Sequence, residues 1–99
     1  MIALFHLKTS DFQKVKELVE KDDVTSRQSL TYREPASLGL KKEGYYLKIN
    51  GSEESIKHAK EILKGLAEEV SGKEKDEVLK KIEEQEDQAD SGFGILFGG

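Results

Sequence analysis

The chain has 99 residues, enough for one domain with one modest core, burying roughly 60–70% of the surface that the unfolded chain exposes. It contains no cysteine, which excludes disulfides, thiolate metal sites and cysteine nucleophiles. The net charge of −4 is unevenly placed: residues 1–64 carry 12 Lys/Arg against 10 Asp/Glu, whereas residues 65–99 carry 4 against 10.

Residues 2–8 read as a first strand that is apolar on both faces, which suits a central place in a sheet. This apolar run is too short to span a bilayer, and it lacks a basic leader and a cleavage site, so a cytoplasmic protein with no membrane association is expected. Ser10 with Gln13 fits a capping box at the start of a helix, along which Phe12, Val15, Leu18 and Val19 form an apolar stripe. Residues 24–33 alternate in a β-rich but polar pattern, as an edge strand should. Residues 34–43 then connect to the next strand. Pro35 there predicts either a helical turn that tucks Leu38 and Leu40 against the core, or a contact site carrying those leucines.

Local signals agree best over residues 44–70. Tyr45, Leu47 and Ile49 alternate with Tyr46 and Lys48, the period of a half-buried strand, and Asn50-Gly51 supplies a tight corner. A helix follows, with Ile56, Ala59, Ile62, Leu63, Leu66, Ala67 and Val70 on one stripe. Ser52 is placed to cap it, Glu53 and Glu54 favour its positive end, and Ser71-Gly72 supplies the stop. Residues 73–90 read as a solvated acidic helix with i,i+4 pairs Asp76–Lys80 and Glu77–Lys81, touching the body by a narrow stripe of Val78, Leu79, Ile82 and Ala89. In residues 91–99, Phe93, Ile95 and Phe97 alternate with Gly94, Leu96 and Gly98, which predicts a Gly/Phe-rich C-terminal strand.

These elements make a single α+β domain spanning residues 1–99, a two-layer ferredoxin-like βαββαβ sandwich with an extra acidic helix before the C-terminal strand. In that plan the first and third strands are central and parallel, the helices cover one sheet face, and the other face is open. The richness in Lys and Glu, with a single Asn, resembles the usage of heat-adapted proteins.

No phosphate loop, nucleophile elbow or HExxH zinc motif is present. Glu54, His58 and Glu61 share a helix face, and His6 lies on the first strand, but Lys/Glu-rich surfaces produce such groupings routinely. Without a nucleophile, an oriented base or a cofactor loop, no catalytic, cofactor or metal residues are assigned and a non-enzyme is expected.

Nucleic acid is the alternative partner. Lys57, Lys60 and Lys64 run along one side of the long helix, and Tyr46 and Lys48 are placed on the sheet, an arrangement of cations and aromatics that suits a single strand. Ile49-Asn50-Gly51 followed by Ile56, Ala59 and Ile62 resembles the last strand and helix of a KH domain, although the GXXG loop of that family has no match. Gly44-Tyr45-Tyr46-Leu47-Lys48-Ile49 resembles the RNP1 strand of an RRM, with the aromatic spacing displaced by one and Glu43 where that family has a basic residue. Either resemblance implies RNA binding. The final Gly98-Gly99 is similar to the end of ubiquitin-like modifiers, which open with a hairpin where this chain opens strand–helix–strand.

The leading expectation combines the open face with the tail. A bare apolar face carrying Ile2, Leu4 and Tyr46 is a liability unless covered. Two copies packing face to face, or exchanging the segment with Phe93, Ile95 and Phe97, would cover it. The expected function is thus a homodimeric, non-catalytic interaction or regulatory module, similar in plan to ACT-like domains that hold small ligands at a dimer interface.

Overall fold

In the computed structural model the backbone is described for residues 1–98 and side chains for residues 1–86. Strand β1 spans Ile2–Leu7, helix α1 Phe12–Lys21, β2 Ser29–Arg33, β3 Tyr45–Asn50, α2 Glu53–Ile62, β4 Glu68–Val70 and α3 Gly72–Gly98. Short 3₁₀ turns lie at Thr9–Asp11, Thr25–Arg27 and Pro35–Leu38. The result is a small α+β domain around a four-stranded sheet in the order β2-β3-β1-β4.

Every strand pair is antiparallel, including β1 with β3, where Ile2 faces Asn50 and Leu7 faces Tyr45. The expected parallel pairing of the first and third strands is therefore corrected. The reason is directional: the α1 crossover returns β2 along the direction of β1, and β3, folding back from β2 into the gap between them, must oppose both.

Several boundaries move for identifiable reasons. Helix α2 ends at Ile62 rather than at Val70, because Gly65 takes a left-handed φ of 84° that leads the chain out of the helix. Residues 68–70, expected as its last turn, become β4 against β1, with Val70 opposite Leu4. The fourth strand thus precedes the acidic helix. The expected C-terminal strand is replaced by backbone belonging to α3, and the placement of Phe93, Ile95 and Phe97 lies outside the described side chains.

At the front of α1, Asp11 is the N-cap without a side-chain cap bond, so the expected Ser10/Gln13 box does not form. The strand expected from residue 24 begins only at Ser29, because Asp22 draws the preceding segment into a turn. Its carboxylate accepts from Val24 N at 2.9 Å and Thr25 N at 3.0 Å, while buried Thr25 Oγ1 donates to Val19 O at 2.6 Å. Ser52 caps α2 as expected, accepting from Ser55 N at 3.1 Å. Pro35 opens a helical turn that buries Leu38 and brings Leu40 against the core.

The sheet separates two apolar clusters. Alternate residues of β1 and β3, namely Ala3, Phe5, Leu7, Leu47 and Ile49, pack with Val15 and Val19 of α1 and with Ile56 and Ala59 of α2. The opposite parity presents Leu4 and Tyr46, which with Val70 and Leu38 meet Val78 and Ile82 of α3. The sheet is consequently covered on both faces, making three layers where two were expected. Val78 and Ile82 are 1% and 0% exposed, and burial of each contributes about 1.5–3 kcal/mol. Spaced four residues apart, they define a compact seam on what was expected to be a solvated helix. Among the described residues no helix is long and apolar enough to cross a membrane.

Candidate interaction surface beneath the C-terminal helix

The polar chemistry of the domain gathers where α3 crosses the sheet. Strand register sets a row across it: Arg33 of β2 pairs with Tyr46 of β3, Tyr46 with His6 of β1, and His6 with Glu68 of β4. These positions share a parity, so they stand on the α3 side. Lys48, two residues beyond Tyr46, belongs to the same face.

Helix α3 answers this row with carboxylates and an amide. Glu74 Oε2 accepts from Tyr46 Oη at 2.8 Å and from Lys42 Nζ at 2.7 Å. The Lys42 bond, with the Tyr46 bond second, holds the Glu74 carboxyl below the usual carboxylate range. Burial, reinforced by the bond to Glu74, pushes the Tyr46 phenol well above its ordinary value. Tyr46 therefore stays a neutral donor and Glu74 a charged acceptor. Lys42 Nζ also lies 5.8 Å from the centre of the Tyr46 ring, within cation–π range.

Further along the helix, Arg33 Nε donates to Gln85 Oε1 at 3.1 Å, and Gln85 Nε2 donates to Ser37 O. Lys48 Nζ stands 3.7 Å from Glu86 Oε1. On the other side of Tyr46 the His6 ring meets it edge-on, centroids 5.4 Å apart. His6 Nε2 lies 2.6 Å from Glu43 O. A carbonyl only accepts, so Nε2 carries the proton in that bond. Beyond His6 a cavity of about 420 Å³ opens at the end of the sheet, with Lys8, Asp11, Lys42 and Glu68 in its wall.

The residues expected to carry function are distributed unevenly over this arrangement. Leu4 and Tyr46, expected on a bare interface, are 0% and 1% exposed beneath α3, so the face they occupy is not open. Tyr46 and Lys48 do come together, but Lys57 and Lys60 do not join them. Their helix, α2, packs on the opposite face of the sheet, where Lys57 pairs with Glu53 at 3.8 Å and Lys60 with Glu69 at 3.1 Å. Lys64 follows that helix and is exposed. The single basic groove expected from these five residues is thus divided between two faces. His58 turns to Asp22 Oδ1 at 2.9 Å rather than to Glu54 or Glu61, tying α2 to the end of α1.

Arg33, Lys42, Glu74 and Gln85 escaped the sequence reading. Only Glu74 left a signal in the sequence, recurring with Val78 and Ile82 at four-residue steps; Arg33 joins the site through its place opposite Tyr46 in the strand register. Comparison with protein-family models, curated proteins and solved structures returns no match. What the geometry defines is a small α+β domain whose C-terminal helix is seated on its own sheet by a mixed apolar and charged seam.

Proposed function

We propose that this chain is a cytoplasmic, non-catalytic interaction module on a ferredoxin-like plan, assembling as a homodimer in which each copy lays α3 on the sheet face of the other. The plan is supported by the succession strand, helix, strand, strand, helix, strand and by antiparallel strands in the order β4-β1-β3-β2. One observation carries the assembly reading. The helix covering this sheet face is joined to the sheet by one residue, since Ser71 alone separates α3 from β4. Gly72, at a left-handed φ of 67°, sets the direction in which α3 leaves. A change of backbone angles at this junction would send α3 to a neighbouring copy, where it would make the same contacts with Leu4, Tyr46, Val70, Lys42 and Lys48. Exchange of an identical element between copies is a low-cost route to a dimer because it creates no new contact type.

The absence of cysteine from the sequence makes the test direct. Lys42→Cys and Glu74→Cys variants, prepared separately, are mixed, incubated and treated with a short thiol cross-linker. Exchange predicts a dimer-sized product in the mixture, together with a dimer mass by light scattering of the untreated chain. A monomer mass, with linkage only when both cysteines lie in one chain, would sink the assembly reading.

A further inference from the structure

We infer that the sheet face beneath α3 is a binding surface for single-stranded nucleic acid, masked in the closed chain by the acidic helix. The first support is the distribution of charge. Residues 1–71 carry 12 Lys/Arg and 12 Asp/Glu, whereas residues 72–99 carry 4 and 8. The body is neutral, and the whole net charge of −4 belongs to the terminal segment that starts α3.

The second support is what α3 sits on. Its acidic groups do not face bulk solvent alone: Glu74 engages Lys42 and Tyr46, and Glu86 approaches Lys48. A carboxylate-bearing helix here takes the place of a polyanion. It also fits the cations incompletely among the described residues. Arg33 meets only neutral acceptors, Gln85 Oε1 at 3.1 Å and Tyr32 O at 2.8 Å. The Lys48 side chain is only 16% exposed, yet its carboxylate partner stands at 3.7 Å, beyond hydrogen-bond length. A cation so far withdrawn from water retains affinity for a closer anion.

The third support is the row of rings. Tyr46 and His6 stand side by side on the two central strands, with Arg33 next in register and Lys48 and Lys42 beside them. Aromatic faces interleaved with cations hold single strands by base stacking and phosphate pairing together. An acidic peptide would use the cations and leave the rings idle. The inference is independent of whether the covering helix belongs to the same chain or to a second copy.

The test measures fluorescence anisotropy of a labelled oligouridylate of about twelve nucleotides at low salt. Glu74→Gln combined with Glu86→Gln loosens the helix without touching Val78 or Ile82. This variant should bind about tenfold more tightly than the unaltered chain, with log Kd changing by about 2 per decade of salt for three phosphate contacts. Adding Arg33→Ser and Lys48→Ser should abolish the gain. A second variant guards against misfolding: Leu40→Cys with Leu79→Cys, joined by a short bis-maleimide, locks α3 down and should lose the binding that the unlinked form shows. No gain in the Gln variant, equal binding by the locked chain, loss of binding on Lys57→Glu with Lys60→Glu, or full competition by polyglutamate would each overturn the inference. Light scattering of the same samples separates this outcome from the assembly reading, since a monomer that binds on release keeps the first and removes the second.

Discussion

Tyr46 Oη and Glu74 Oε2 meet at 2.8 Å across the seam between β3 and α3, a bond that joins the centre of the sheet to the first turn of the last helix. Lys42 shares the same oxygen. Tyr46→Phe removes one donor and leaves Glu74 its lysine, so the cost should be modest, about 0.5–1.5 kcal/mol. Glu74→Ala strands a buried phenol beside an unpaired cation and should cost more, about 1–3 kcal/mol. Urea midpoints of the two variants read the difference. Equal losses would mean that the phenol finds water and that the bond does not order the seam.

Ile82 carries the apolar half of the same seam. It is fully buried and packs with Leu4, Tyr46, Leu38 and Val70 in one cluster. Ile82→Ala should destabilise the protein by about 2–5 kcal/mol, seen as a lower denaturation midpoint. Lys81→Ala, one position away on the same helix, is the control and should change little. A solvated helix would show no contrast between the two.

How far the sequence speaks for itself follows from these seams. Residues 45–50 and the capped start of α2 were legible because each depends on neighbours in sequence: an alternation, an Asn-Gly corner, a serine cap. The end of α2 was not, because Leu66, Ala67 and Val70 continue the helical stripe and only the backbone angle of Gly65 breaks it. The role of α3 was hidden for a different reason. Val78 and Ile82 look sparse by count, and what makes them sufficient is that Leu4, Tyr46 and Val70, from three separate strands, converge on them. The site suffered likewise, since Arg33, Lys42, Glu74 and Gln85 meet only through the tertiary fold.

Asp22 links stability to pH. Its carboxyl falls from 3.8 to about 2, chiefly because His58 binds it, with backbone bonds from Thr25 and Val24 adding to the effect. A folded-state value below the unfolded one stabilises the protein above about pH 4 and loses that contribution as the pH falls toward 2. Asp22→Asn should lower the melting temperature at pH 6. The gap from the unaltered chain should narrow between pH 4 and pH 2. A gap constant down to pH 2 would show that the carboxylate charge contributes nothing to the tie between α1 and α2.

Tyr32 offers a gain instead of a loss. Its hydroxyl is buried with no hydrogen-bond partner among the described residues, and burial pushes its ionisation up to about 12, with Glu20 adding a smaller push. The ring itself is well used, standing edge-on to Phe12 with centroids 5.6 Å apart. Tyr32→Phe keeps that contact and removes the stranded group, whose desolvation costs about 1–3 kcal/mol. The variant should melt at the same temperature as the parent or higher. A clear drop would reveal an unseen partner for the hydroxyl.

Gly44 is where the loop from β2 re-enters the sheet, at a left-handed φ of 93°. A Cβ built there would run into the carbonyl oxygen of Leu7 and the Nε2 edge of His6. The two penalties are separable. Gly44→Ala meets both the angle and the clash, whereas Gly39, with a φ of 75°, has open space around its Cβ direction. Gly39→Ala should therefore cost about 1–2 kcal/mol from the backbone angle alone. Gly44→Ala should cost more, because the Leu7 carbonyl is fixed in the sheet and cannot retreat. It should also disturb the His6 bond to Glu43, which the shift of the His6 ring protons in NMR would report. If the two glycine variants melt alike and the His6 signals stay in place, the loop accommodates the methyl by moving, and the close approach of Gly44 to β1 is not what fixes the end of the sheet.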